Sequence, residues 1–147
     1  MALRLAINGY GRIGRCVLRA LYERNLQGRY KIVAINEPAE PATIAYLTRY
    51  DSTHGHFSGV VEQEKNTLIV NGDVIALSAH KSLEALDWSS HNVDIVLECS
   101  GVFSSRKKAQ AHIKAGAKRV LFSQPADHDI DAAVVCGVNE AVLQAEH

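Results

Sequence analysis

Near the start of the chain, Ile7 to Cys16 read INGYGRIGRC, with glycines at Gly9, Gly11 and Gly14. Glycine weakens a helix by about 1 kcal/mol relative to alanine. Three of them where a helix begins therefore need a chemical reason. The spacing Gly-x-Gly-x-x-Gly supplies one, since it is the fingerprint of a backbone that receives a dinucleotide pyrophosphate. In that reading Gly9 permits a tight turn out of a strand. Gly11 lets the backbone approach the phosphates, and Gly14 lets the helix pack closely on the strand. The positive end of the helix and its unsatisfied N–H groups then face the anion. The amides of Arg12 and Ile13 are the natural donors. Alone, the pattern describes a ligand-free glycine-rich turn just as well. Its setting carries the weight: it follows a strand and opens an amphipathic helix, in a unit of about thirty residues.

An acid at the end of the second strand is the next requirement, and Asn36-Glu37 stand there. A carboxylate at Glu37 accepts hydrogen bonds from adenosine ribose hydroxyls. It also repels a 2′-phosphate, which favours NAD over NADP. Asn36 is grouped with it as a cofactor-side residue. Two other strand ends carry small polar residues, Ser100-Gly101 after VDIVLEC and Ser123 after RVLF. Ligands of open parallel sheets lie across such carboxyl ends.

These positions presuppose a framework. Leu3 to Asn8 and Tyr30 to Asn36 read as buried strands, and Gly11 to Asn25 carries apolar residues at helical spacing. Pro41 to Tyr50 reads as a short helix with proline in its first turn. From Val60 to Leu77 the pattern becomes short β runs, and Asn71-Gly72 between two of them signals a hairpin. Val93 to Glu98 is another buried strand. Ser104 or Ser105 caps a helix to about Ala115, ended by Gly116. Arg119 to Phe122 is a strand, Ala132 to Cys136 a further one, and the closing VNEAVLQAEH reads as helix. Alternating aliphatic strands and helices imply an α/β fold: a doubly wound, mostly parallel, Rossmann-type sheet with an antiparallel hairpin insertion at an edge. The 147 residues make one dinucleotide-binding domain.

Composition excludes other classes. Net charge is zero, so no field draws in nucleic acid or an anionic membrane. No apolar run approaches membrane-spanning length. Cys16, Cys99 and Cys136 are an odd, scattered set in apolar settings and read as reduced core thiols, with the cytoplasm as the implied compartment. His54 and His56 lack a second pair at ligand spacing, so no metal is expected.

INGYGRIGR, YDSTHG from Tyr50 to Gly55, ECSGVF and AGAKRVLFSQPA together resemble the N-terminal half of the glyceraldehyde-3-phosphate dehydrogenase superfamily, in order and over essentially the whole chain. Within it, INEPAE and the ending VVCGVNEAVLQAEH resemble the D-erythrose-4-phosphate dehydrogenase branch; glycolytic members commonly have Asp where Glu37 stands. The resemblance implies NAD as cofactor and pyrophosphate donors at Arg12 and Ile13. It gives the ribose role to Glu37 and places Lys81 near the adenine side. A plain surface lysine is the competing reading of Lys81, and an ammonium is a point charge that cannot replace a bidentate arginine. Ser123 would meet the nicotinamide side, with Ser100 and Gly101 lining the floor between. The parent protein would oxidise a sugar-phosphate aldehyde through a cysteine thiohemiacetal and thioester, act in pyridoxine biosynthesis and assemble as a homotetramer. The YDSTHG segment would lie near subunit contacts. The stretch bearing the family's catalytic cysteine is not among these residues, so the chain is expected to be a cofactor domain cut from a longer enzyme and inactive alone. The glycolytic enzyme, and a non-catalytic nucleotide-binding or redox-sensing module, are the alternatives.

Overall fold

The computed structural model describes residues 2–51, 54–101, 105–124, 127, 130–134 and 138–147. In chain order these form β1 (Leu3–Asn8), α1 (Arg12–Glu23), β2 (Tyr30–Asn36), α2 (Pro41–Arg49), β3 (Tyr50–Asp51) and β4 (Gly55–His56). There follow β5 (Val61–Glu64), β6 (Thr67–Val70), β7 (Asp73–Ser78), β8 (Ile95–Glu98), α3 (Arg106–Lys114) and β9 (Arg119–Phe122). Seven strands make one sheet in the order β5-β6-β7-β2-β1-β8-β9, and β3 pairs with β4 separately. The strands β7, β2, β1, β8 and β9 run parallel, while β5 and β6 are antiparallel to their neighbours. This is the expected doubly wound, mostly parallel architecture.

The hairpin segment does more than decorate an edge. Its turn at Asn71-Gly72 has positive φ at both residues, 50° and 86°, as a two-residue hairpin loop of matching twist demands. That turn sends the chain back as β7, which then pairs parallel with β2. The segment therefore supplies the third strand of the parallel set.

Apolar side chains alternate between the two faces and make two cores. Leu5, Ile7, Ile32, Ile35 and Leu97 pack under Leu18, Leu21 and Tyr22 of α1 and Ile44 of α2. On the other face Ala6, Val33, Ala34 and Val96 pack with Leu83, Leu86, Trp88 and Ala117. In β2 the alternation breaks. Leu5 stands opposite Ile32 but Ala6 stands opposite Ala34, so Val33 is an extra, bulged residue. Val33 and Ala34 both join the second core, and Ile35 returns to the first. The bulge sets which way Asn36 and Glu37 leave the strand.

Several boundaries differ from the sequence reading. The first helix stops at Glu23, before Asn25, whose φ is +56°. The second stops at Arg49, where Tyr50 turns extended. The strand expected from Val93 begins at Ile95; the Val93 N–H is still bonded to the Trp88 carbonyl of the preceding turn. Ser105 is the cap of α3, its Oγ accepting from the Lys108 N–H at 3.2 Å; Ser104 lies outside the described residues. Ala132 to Val134 form no strand, and Val135 and Cys136 lie outside the described residues. The expected closing helix is reduced to a 3-10 turn at Glu140–Val142. The Asn139 side chain does not cap it but donates to the Ala133 carbonyl, and Val138, Val142 and Leu143 are exposed. A short helix without a packed face is marginal in water. Among the described residues no helix is long and apolar enough to cross a membrane.

Candidate functional site

The five parallel strands end along one edge at Asn8, Asn36, Ser78, Glu98 and Phe122. From β1 the chain moves to β2 and β7 on one side, then crosses to β8 and β9 on the other. Order reverses between β1 and β8, and the crevice above such a point is where an α/β sheet takes its ligand.

The glycine fingerprint sits over that crevice. Gly9 has φ +92°, and its N–H donates to the Asn36 carbonyl at 2.9 Å. A Cβ on Gly9 would lie 2.5 Å from Ser100 Cα, so the tips of β1 and β8 meet backbone to backbone. A Cβ on Gly14 would lie 2.5 Å from the Gly9 carbonyl oxygen, which is the close helix–strand contact expected of the third glycine. Gly11 differs: a Cβ there meets nothing within 4 Å. It is the N-cap of α1 and offers no side-chain cap, so the first-turn amides of Arg12 and Ile13 face outward. No contact within the protein excludes a side chain at Gly11, and the space beside it is open.

Glu37 is fixed beside this turn. Its Oε1 accepts from the Tyr10 N–H at 2.9 Å and its Oε2 from the Ala39 N–H at 3.1 Å. Each carboxylate oxygen keeps acceptor capacity for a second donor. The Arg12 guanidinium turns away to Asp51, 3.0 Å from its Oδ2. What Arg12 offers at the crevice is thus its amide more than its charge. Ile13 is half exposed in the same turn. Gly101 has φ +79°, and Ser123 follows β9 with its N–H on the Glu98 carbonyl. Lys81 is exposed beyond β7, at the far end of the same edge. The structure thus gathers Gly9, Gly11, Arg12, Ile13, Gly14, Glu37, Ser100 and Gly101 around one crevice. Ser123 and Lys81 stand on its two flanks.

Asn36 points inward. Its Nδ2 donates to Asn8 Oδ1 and to the His80 carbonyl, both at 2.8 Å. Its Oδ1 accepts from Ser78 Oγ and the His80 N–H, both at 2.9 Å. All four hydrogen-bonding positions of the amide are filled within the protein. Asn36 belongs to a buried side-chain chain that the sequence reading did not find. Asn8 Nδ2 donates to Glu98 Oε1 at 2.7 Å, and His112 Nε2 lies 2.8 Å from the same oxygen. Glu98 Oε2 accepts from the Ser100 N–H at 3.0 Å and Ser100 Oγ at 2.6 Å. Trp88 Nε1, which can only donate, reaches His112 Nδ1 at 3.1 Å. Nδ1 is therefore the acceptor, and the ring proton on Nε2 points at Glu98. Burial alone would raise the Glu98 carboxyl. Its bonds from His112, Ser100 and Asn8 outweigh that and hold it below the usual glutamate range. A signal was present in the sequence: Asn8, Asn36 and Glu98 are amide or acid residues closing three aliphatic strands.

Residues 3–106 match the family described as glyceraldehyde 3-phosphate dehydrogenase, NAD binding domain. The chain belongs to that family. It is a Rossmann-type NAD-binding module of the NAD-dependent dehydrogenases, and NAD is its cofactor. The matched region takes in the glycine fingerprint, Glu37, Lys81, Ser100 and Gly101. The cysteines offer no activated nucleophile among the described residues. Cys16 is half-buried in α1, and Cys99, just past β8, has its thiol pushed up by burial, with a Ser123 hydrogen bond opposing. Cys136 lies outside the described residues.

Two outcomes follow from this geometry. Gly11→Val should weaken NAD binding about a hundredfold or more, ~2.7 kcal/mol, while costing the fold ~1 kcal/mol or less. Calorimetric titration beside a thermal melt checks both, and unchanged affinity would remove the fingerprint role. Glu98 gives a pH dependence of defined sign. Its folded carboxyl is lowered, so its stabilisation is complete above the unfolded value of about 4.3 and is lost as pH falls through the folded value. Urea unfolding from about pH 6 down to about pH 3 should show a steeper acid loss in the parent than in Glu98→Gln. Parallel curves would mean Glu98 is not ionised in the folded protein.

Proposed function

We propose that the chain is the cofactor half of a dehydrogenase that oxidises D-erythrose 4-phosphate to 4-phosphoerythronate with NAD. The observation that carries the cofactor role is the open face of Gly11 at the N-terminus of α1, beside a Glu37 carboxylate already oriented by two backbone donors. The adenosine ribose lies at Glu37, the pyrophosphate over the α1 amides, and the nicotinamide toward Ser100, Gly101 and Ser123. NAD, when bound, accepts the hydride. The chain's own groups bind and orient it, and the thiol that attacks the aldehyde comes from outside these 147 residues. The raised thiol of Cys99 supports that division of labour. The preference for erythrose 4-phosphate over glyceraldehyde 3-phosphate rests on the likeness of the INEPAE segment to that branch. The working compartment is the cytoplasm. The parent protein is a homotetramer, with the exposed Tyr46, Tyr50 and His56 rings as one contact surface; Tyr50 lies tilted against Tyr46 at 5.0 Å and edge-on to His56 at 5.1 Å.

The chain should bind NAD more tightly than NADP, and Glu37→Ala should narrow the gap. The exchange removes the ribose bonds, ~1.5–3 kcal/mol each, together with the repulsion of a 2′-phosphate. Equal affinity of the parent chain for both cofactors would take the ribose role from Glu37. Mixed with NAD and either aldehyde, this chain alone should form no NADH. The full-length protein should show the larger kcat/KM for erythrose 4-phosphate, and the reverse ratio would assign it to the glycolytic reaction. Light scattering on the full-length protein should give four subunits, reduced by Tyr46→Ala with Tyr50→Ala.

A further inference from the structure

Glu98 has no exposed surface and lies at the end of β8, bonded to Ser100 at the rim of the crevice. A buried carboxylate is costly unless paired. An ionised group in this position asks for a role that a neutral residue could not fill. The hydrogen bonds show what it holds. One oxygen takes the tip of β1 through Asn8 and the face of α3 through His112. The other takes Ser100 twice, through its amide and its hydroxyl. From Asn8 the chain continues to Asn36, whose side chain grips the His80 backbone by both its N–H and its carbonyl. Side chains thus link the loop after β7, the tips of β2, β1 and β8, and α3 on the far face.

We propose that Glu98 is a positioning residue for the nicotinamide half of NAD: through its oxygens it fixes the Ser100–Gly101 backbone against the β1 turn, while Asn36 separately fixes the His80–Lys81 loop on the adenine side. The proposal rests on the NAD-binding reading. The two ends of the chain are separable because Asn36 keeps three partners, His80 N–H, His80 carbonyl and Ser78, that do not involve Glu98. Ser100 is held by Glu98 through two bonds, one from its main chain. A carboxylate accepts from all four donors at once; a carboxamide in its place must turn an NH2 toward one pair of them. Loss of the charge therefore frees Ser100 or opens the Asn8–His112 side, and either change is felt first at the β8 tip.

The distinguishing measurement compares a whole ligand with its adenosine half. NAD and AMP are titrated by calorimetry against the parent chain, Glu98→Gln and the control Val96→Ala, a buried apolar truncation in the same strand. Glu98→Gln should raise the Kd for NAD tenfold or more while leaving AMP within twofold. Val96→Ala, though destabilising, should leave both within twofold. NAD affinity unchanged in Glu98→Gln overturns the proposal. Equal weakening of NAD and AMP overturns it as well, since that is the mark of a general loss of fold. Should Glu98→Gln not fold, Trp88→Phe combined with His112→Leu removes the donor to Glu98 and its own donor together, so no indole N–H is left unpaired. Both side chains are buried, and the same split between NAD and AMP is expected, several-fold in size; its absence overturns the proposal. A parent chain that binds neither ligand refutes the NAD reading itself, a result distinct from all of these.

Discussion

The Glu98 carboxylate is held in the protein interior by four donors, and much of the sheet's carboxyl edge is arranged to meet that demand. Desolvating an ion costs several kcal/mol after relaxation, so each donor must be present and well aimed. This fixes the residue types around it. Asn8 must donate to Glu98 and accept from Asn36 with one side chain, which a carboxamide can do and a carboxylate cannot. His112 must carry its proton on Nε2, and Trp88 ensures that by occupying Nδ1. The indole and imidazole are buried on the second core, so packing and hydrogen bonding specify the same pair. Satisfied throughout, such a network favours one arrangement of strand tips over near alternatives.

The glycines belong to the same constraint, seen from above. Bringing β1 and β8 close enough for Asn8 to reach Glu98 brings Gly9 against Ser100, where no side chain fits. Seating α1 on that turn brings Gly14 against the Gly9 carbonyl. Two of the three fingerprint glycines are therefore demanded by the protein's own packing. The third is demanded by nothing within it. Packing accounts for Gly9 and Gly14, while Gly11 stands clear of it at the N-cap of α1.

This division explains what the sequence disclosed. Local features were legible. β1, β2 and β9 have the bounds their aliphatic runs suggested, and the Asn71-Gly72 turn and the Ser105 cap are where short-range chemistry put them. The bulge at Val33 was not legible, because both bulged residues are apolar and an aliphatic run reads the same with or without a register shift. The parallel docking of β7 was also hidden, since a hairpin signal says nothing about the strand's second neighbour. Of the site, the turn and Glu37 are read from one βαβ unit. Asn8 and Glu98 are ninety positions apart and meet only through the sheet order. Polar residues at strand ends look like ordinary loop chemistry until that order is known. The closing segment failed for the opposite reason: its helical spacing was real, but the segment docks on no core, and spacing without burial does not hold a helix.

The electrostatics of the crevice follow from these pieces together. In the proposed arrangement a dinucleotide brings negative charge to a crevice that has Glu37 at its rim and Glu98 buried under Ser100. Of the cations at the fingerprint turn, Arg12 is paired with Asp51, and Arg15 donates its Nε–H to the Gly11 carbonyl at 3.0 Å. The Ser100 amide, a candidate donor by position, is taken by Glu98. In the proposed reading the phosphates meet the end of α1, where the Arg12 and Ile13 amides and the helix dipole concentrate positive potential within one turn. Recognition of this kind depends on backbone placement more than on side-chain charge. A displacement of a few tenths of an ångström at Gly9 redirects those amides, whereas loss of a surface lysine does not. The protein accordingly invests its buried polar groups in holding the strand tips still. The neutral charge balance of the whole chain agrees with a site that works by geometry, with no long-range attraction of the ligand.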